Sequence, residues 1–328
     1  MNSSNVNDTV TATVVCHGFN KIGYFFASKA VISMASISIL SSFSFCIIAM
    51  VGNTLTLYSI WKASLYSNPS YTIIAGLAIT DFLSSITVLP LNTVIRFQDI
   101  FNIHSCVLKH IFATVATILV GWSTIMMCTI NIDRFIALYF PLRLKAWNLS
   151  TWYSVLIASS WSLFLLYALL GASNILSLKI FFSLQMSMVI FALVFISVIQ
   201  VLVYRLIKAR QRRLAVLAPR QSTAQMIDAI EQRKQRKCNR TLFIVTVAFF
   251  ICYLPRFAVL VALRPVKSSS FTLIYIGSRW SEIVLFSNSA LNPIIYAIRL
   301  PKIRRHVFEF LRRVFPWFEK QHTLDTTR

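Results

Sequence analysis

Residues 106–139 read CVLKHIFATVATILVGWSTIMMCTINIDRFIALY. Between Lys109 and Asp133 no side chain carries a full charge at neutral pH, and the run exceeds the ~20 residues that an α-helix needs to cross a bilayer. Working outward, six further apolar runs appear at about 32–60, 71–96, 151–171, 180–207, 240–263 and 271–299. Transmembrane strands would alternate in polarity and run only ~10 residues, so the runs read as helices. The expectation is an all-α membrane protein, a seven-transmembrane helix bundle.

Composition agrees. Of 328 residues, 57% are hydrophobic and only 13% are charged, against roughly 25% charged in soluble domains. The mean hydropathy of +0.69 leaves too little polar surface for a soluble two-domain enzyme. A net charge of +22 invites a nucleic-acid reading, but the hydrophobicity argues against it, so no nucleic-acid partner is expected. Placed on the ends of the seven runs, 23 of the 32 Lys and Arg residues fall on one side, eleven of them between Arg205 and Arg240. Cytoplasmic loops are the basic ones, which puts the C-terminus inside and the N-terminus outside at the plasma membrane.

Sequons at Asn2 and Asn7 suit an exterior N-terminus. Residues 1–20 have no basic start followed by an apolar run, so the first span is expected to direct insertion. The expected organisation is an extracellular segment 1–31, a membrane domain 32–299, and a cytoplasmic segment 300–328. After Pro301, Ile303, Val307, Phe310, Leu311 and Val314 recur at helical spacing, with Arg304, Arg305, Arg312 and Arg313 mostly off that stripe. This predicts a short amphipathic helix lying on the inner leaflet, in contact with membrane lipids. Ser222-Thr223-Ala224-Gln225 has capping-box spacing, so a helix is expected to start there and run into the sixth span.

Polar residues stand where lipid would penalise them. The first span has Gly52-Asn53 and the second has Leu77-Ala78-Ile79-Thr80-Asp81. The third ends Asp133-Arg134-Phe135. The sixth has Cys252-Tyr253-Leu254-Pro255, and the seventh has Asn288-Ser289-Ala290-Leu291-Asn292-Pro293-Ile294-Ile295-Tyr296. One such motif per span, in this order and with Trp161 in the fourth, resembles the rhodopsin-like (class A) G-protein-coupled receptors over about residues 32–315.

The resemblance implies a receptor that converts binding of an extracellular small-molecule or lipid ligand into activation of a heterotrimeric G protein. Arrestin and a receptor kinase would be further partners. It assigns coupling and switching to Asp133, Arg134, Tyr204, Tyr253, Pro255, Asn292, Pro293 and Tyr296. It gathers Asn53, Ser123, Asn288 and Asn292 around Asp81, which either holds a sodium ion with waters or stays protonated and aids packing. Phe135 and Tyr253 replace the usual Tyr and Trp. Gln235 stands where many relatives carry an acid that clamps the arginine, which implies raised basal signalling.

Cys16 and Cys106 are the cysteines on the oxidising side. The short loop near 172–178 has no cysteine, unlike the family's usual one, so a Cys16–Cys106 disulfide is expected, with two unbridged thiols as the alternative. The missing loop cysteine and a fifth span without proline resemble the adenosine, melanocortin, cannabinoid and lysolipid branch. Family ligand signatures are missing: Ala116, for example, stands where amine receptors carry an acid. Cations outnumber acids at the outer end, and Arg256, Arg279 and Glu282 mark the expected pocket. They favour an anionic ligand, or else Glu282 simply neutralises an arginine. A transporter or channel is the rival; it predicts several ionisable groups along a pathway, often with repeats, whereas Asp81 stands nearly alone and no repeat is visible. The histidines lie outside span centres, so no catalysis is expected.

Overall fold

The computed structural model describes residues 12–14, 22–24, 29–101, 103, 105–140, 149–173, 178–217, 223–262 and 271–314. A two-stranded antiparallel hairpin, β1 (Ala12–Val14) and β2 (Ile22–Tyr24), precedes the bundle, with Thr13 opposite Gly23. The helices are α1 (Lys29–Lys62), α2 (Pro69–Ile86), α3 (Val88–Ile100), α4 (Cys106–Tyr139), α5 (Leu149–Ala172), α6 (Leu178–Leu217), α7 (Thr223–Ala262), α8 (Phe271–Arg299) and α9 (Pro301–Val314).

Local chemistry sets the helix ends. Asn68 caps α2 by accepting from the Ser70 amide at 3.1 Å, with Pro69 in the first turn where its missing N–H costs nothing. Ser105 caps α4 by accepting from the Leu108 amide at 3.2 Å. The second span, expected as one helix over 71–96, is instead divided at Thr87 into α2 and α3. Pro90 explains the break: it has no N–H for the Ile86 carbonyl, and its ring crowds that carbonyl. Pro255 and Pro293, by contrast, lie inside α7 and α8. The sixth span's helix starts at Thr223, next to the expected cap, far ahead of residue 240, and the fifth runs on to Leu217. Hydropathy ends a span at its first charges, but a helix continues into water past them.

Ile32–Lys62, Pro69–Ile100, Cys106–Tyr139, Thr151–Gly171 and Ser183–Ala209 are each long and apolar enough to cross a bilayer. Ile276–Arg299 qualifies together with α9, which leaves it at 100°. Within α7 the apolar stretch Phe243–Val259 forms the membrane part. Leu40, Phe43, Leu163, Phe191, Val201 and Ile251 point outward, fully half or more exposed, a surface that lipid covers and water would penalise.

α4 runs through the middle, against α2, α3, α5, α6 and α7, and α1 closes the ring against α2, α3 and α8. The core at the α9 end joins Ile73, Leu77, Met126, Met127, Ile130, Ile196, Val245, Phe249 and Tyr296. Ile303 and Val307 of α9 pack into it while Arg304 and Arg305 stay exposed, as amphipathic spacing requires. Glu309 bonds Arg305 at 3.0 Å and His306 at 3.2 Å, and those bonds, Arg305's first, hold its carboxyl below the ordinary glutamate range.

Two glycines permit close approach. A Cβ on Gly52 of α1 would lie 2.7 Å from the Pro293 ring of α8. One on Gly121 of α4 would lie 2.1 Å from the Phe164 ring of α5, where Trp122 and Trp161 stack with centroids 4.5 Å apart.

Candidate functional site

Polar and charged residues collect at three depths. At the α9 end of α4, Arg134 donates from Nε to Asp133 Oδ2 at 2.9 Å and also binds Ser70 Oγ of α2. Ser70 Oγ donates to the same carboxylate oxygen at 3.1 Å. The Asp133–Arg134 pair is thus held as expected, with Ser70 as a partner the sequence reading missed. One turn earlier, Asn131 joins three helices. Its Nδ2 donates to the Met127 carbonyl at 2.7 Å and to Thr246 Oγ1 of α7 at 3.4 Å. Gln200 of α6 donates from Nε2 to Asn131 Oδ1 at 2.6 Å and to Thr246 Oγ1 at 3.2 Å. None of this latch was anticipated, although polar side chains inside apolar runs are the signal that would have found it.

Tyr296 is fully buried, and its hydroxyl has no hydrogen-bond partner among the described residues. Tyr253 stacks on Phe249, centroids 3.9 Å apart. Tyr204 faces out of the bundle, 63% exposed, with the Lys208 amine 5.9 Å over its ring. The side chain of Gln235 lies outside the described residues.

At mid-depth Asp81 is buried and accepts from Asn292 Nδ2 at 2.7 Å, with Ser289 a second side-chain donor. A cavity of about 20 Å³ opens beside it, lined by Asp81, Ser84, Ser123, Asn288 and Ser289 among apolar side chains. Asn292 Oδ1 is a buried oxygen without a hydrogen-bond partner among the described residues, and Ser123 Oγ meets the Tyr253 hydroxyl. A carboxylate with spare neutral oxygens is a donor set that suits a hard cation or water, and the volume admits one small guest. Asn53 stands apart from it, donating to the Ala49 and Ser289 carbonyls at 2.8 and 3.1 Å and so tying α1 to α8.

At the Cys106 end a cavity of about 300 Å³ opens between α3, α4, α6, α7 and α8. Glu282 is its electrostatic centre. Its Oε2 accepts from Arg96 at 3.0 Å and Arg279 at 2.9 Å, and its Oε1 lies 3.3 Å from Arg256. Arg96 also binds Asp99 at 2.7 Å, and Lys109 approaches Asp99 at 3.8 Å. Among the described residues, four cations therefore face two acids. The three expected pocket residues do converge, and Glu282 does pair with its arginines, yet the ensemble keeps an excess of positive charge. Arg96, Asp99 and Lys109 were missed as members, because nothing in spacing brings three separate helix ends together. Ala113 and Ala116 line the same cavity, so no acid projects from α4 there. Cys106 at its rim is disulfide-bonded. Its expected partner Cys16 and the sequons at Asn2 and Asn7 lie outside the described residues.

The profile of the family described as 7 transmembrane receptor (rhodopsin family) matches residues 52–296. The chain belongs to this family. The receptor is 26% identical over 305 residues to a QRFP-like peptide receptor of Branchiostoma floridae, covering 85% of the receptor and 79% of that protein. It is 28% identical over 296 residues to trace amine-associated receptor 7e of Mus musculus, covering 80% and 78%. It is 24% identical over 314 residues to galanin receptor 2a of Danio rerio, covering 88% and 80%. These relatives are not of the adenosine, melanocortin, cannabinoid and lysolipid branch and lend that placement no support. The receptor is thus a multi-pass membrane protein that couples an extracellular ligand to a G protein, and not an enzyme.

Proposed function

We propose that the receptor sits in the plasma membrane with its N-terminus outside, and that the cavity at the Cys106 end binds an anionic ligand. The four cations facing two acids in that cavity carry this reading. In a low-dielectric site such an excess attracts negative charge strongly, while an amine would meet repulsion. The bias of Lys and Arg toward the α9 end supports the orientation.

Transmission would run along α7. Pro255 weakens that helix next to Arg256, so ligand contacts at Arg256 bear on a natural hinge. Outward movement of the far end of α7 would open the latch at Thr246 and let Arg134 leave Asp133 and Ser70 for the G protein. Asn292, Pro293 and Tyr296 would shift with α8. Tyr204 would have to turn inward to join them. A receptor kinase would phosphorylate hydroxyls of the C-terminal segment, and arrestin would bind the phosphorylated product. Asp81, Ser123 and Asn288, with Asn292 on Asp81, would hold a sodium ion, which supplies positive charge that keeps the buried carboxylate ionised, while Asn53 braces α8 beside the site.

Nucleotide exchange on purified Gα subunits by ligand-free receptor tests the coupling reading, with Arg134→Ala as control. Exchange lost in the variant is expected, and basal exchange above a receptor-free blank would fit the absence of an acid at Gln235. Wild-type and variant exchange that are equal and well above the blank would sink the assignment of Arg134.

A further inference from the structure

Resting on the anionic-ligand reading, we propose that the outer cavity takes a single-chain amphiphile whose anionic head binds Arg256 and whose apolar body carries a hydrogen-bond acceptor for the Gln185 amide.

The head site follows from how unevenly the cations are held. Arg96 is 2% exposed and bonds Asn92 at 3.2 Å, Asp99 and Glu282. Arg279 sits on Glu282 Oε2 at 2.9 Å. Arg256 is the most exposed of the three arginines at 26%, and its contacts are Ser278 Oγ at 2.9 Å and Glu282 Oε1 at 3.3 Å, the longest of the three Glu282 contacts. Glu282 splits its two oxygens accordingly: Oε2 serves Arg96 and Arg279, and Oε1 serves Arg256. An incoming carboxylate that takes over Arg256 therefore breaks one long contact and leaves Glu282 paired twice. The planar guanidinium then offers two parallel N–H donors to the new oxygens.

The body site is apolar. Phe112, Val189, Phe257, Leu285 and Phe286 line it, Phe112 and Phe286 meeting edge to face with centroids 6.2 Å apart. A volume of about 300 Å³ lies at the small end of ligand cavities, which suits one chain. Away from the charge cluster, the polar pair Thr117 and Gln185 interrupts the apolar lining. Thr117 Oγ1 donates to Gln185 Oε1 at 3.1 Å, which commits the hydroxyl hydrogen and the amide oxygen. The two hydrogens on Gln185 Nε2 have no acceptor among the described residues. A hydroxyl, ether or carbonyl oxygen on the ligand would satisfy one. A plain hydrocarbon would leave both unpaired as it displaced water from them.

The experiment is equilibrium binding to purified full-length receptor in detergent, read by displacement of tritiated hexadecanoate. Competitors are hexadecanoate, its methyl ester, hexadecylamine and a series of hydroxyhexadecanoates with the hydroxyl moved along the chain. The acid is expected to bind about tenfold or more tightly than the ester, the value of one charged hydrogen-bonded contact. The amine should not compete. Arg256→Gln should remove the acid's advantage and leave the ester unchanged, and Arg256→Lys, which keeps the charge without the paired donors, should fall between. One hydroxyl position should improve binding about threefold to tenfold. Gln185→Leu should erase that improvement and leave unsubstituted hexadecanoate as it was. Equal binding of acid and ester, preference for the amine, or an acid indifferent to Arg256→Gln would overturn the head site. A flat hydroxyl series, or a Gln185→Leu loss shared equally by plain and hydroxylated acids, would overturn the acceptor site. No G protein enters the measurement, so its failure leaves the coupling assignment standing, and nucleotide exchange tests that separately.

Discussion

Replacing Thr246 by valine removes a single hydroxyl from the latch between α4, α6 and α7 and leaves the side chain's shape. Two bonds end on that oxygen, at 3.4 Å from Asn131 and 3.2 Å from Gln200. The shorter bond between Gln200 and Asn131, 2.6 Å, joins α6 to α4 and survives movement of α7 alone. Within the latch, the two Thr246 bonds are therefore the ones that α7 gives up when it swings out. Both are long, so together they stabilise the packed state by about 1 kcal/mol, the lower part of the net range for a pair of hydrogen bonds. Losing them multiplies the ligand-free active population about fivefold while that population is small. The assay is basal nucleotide exchange at matched receptor concentration. Thr129→Val serves as control: that hydroxyl is also buried in the bundle but bonds the Ile125 carbonyl of its own helix at 2.9 Å, so both states keep it. If Thr246→Val and Thr129→Val give the wild-type basal rate alike, the latch does not discriminate between the states and the reasoning fails.

Glu282→Gln removes the charge that three arginines share. Arg96 keeps Asp99, so the loss belongs near the low end for a broken buried ion pair, about 3 kcal/mol, and lowers the thermal midpoint. The same variant should bind hexadecanoate more tightly, since the head no longer competes with a carboxylate; a midpoint and an affinity both unchanged would contradict the charge count. For Asp81→Asn, exchanging sodium for choline in the buffer should stop affecting thermal stability, whereas a variant that responds to sodium as wild type does would remove the ion from this cavity. Cys106→Ser should cost about 2–5 kcal/mol of stability by freeing the loop that the disulfide closes. Peptide mapping of unreduced receptor should recover Cys16 joined to Cys106, and alkylated Cys16 in that sample would rule the pairing out.

The sequence made the bundle legible because lipid imposes one rule on every span, long apolar helices with the rare polar residue turned inward. The same rule exposed Asp81, Asn292, Arg134 and Glu282. It failed where water takes over: α6 runs well past its first charges, and hydropathy says nothing about a helix already started, whereas the capping-box spacing at Ser222–Gln225 did signal the early start of α7. It also failed at Thr87, since proline's effect depends on what the neighbouring helices tolerate. Pro90 breaks the second span, yet Pro255 and Pro293 lie within single helices. Arg96, Lys109 and Gln185 belong to the cavity through the meeting of helix ends, which no local pattern encodes.

Gly52 and Pro293 stand 241 positions apart in the chain, yet each limits what the other position will accept. With proline at 293, any side chain at 52 forces α1 away from α8 just where α8 lacks a backbone bond. Asn53, next along α1, then loses its grip on the Ser289 carbonyl. The two positions should therefore change together or not at all: alanine at 52 is harmful in the wild-type background and much less so beside glycine at 293, which removes both the Cβ and the ring. Read this way, the first span is the splint of the seventh. A receptor shortened to spans two through seven would lack the surface that keeps the proline bend at one angle.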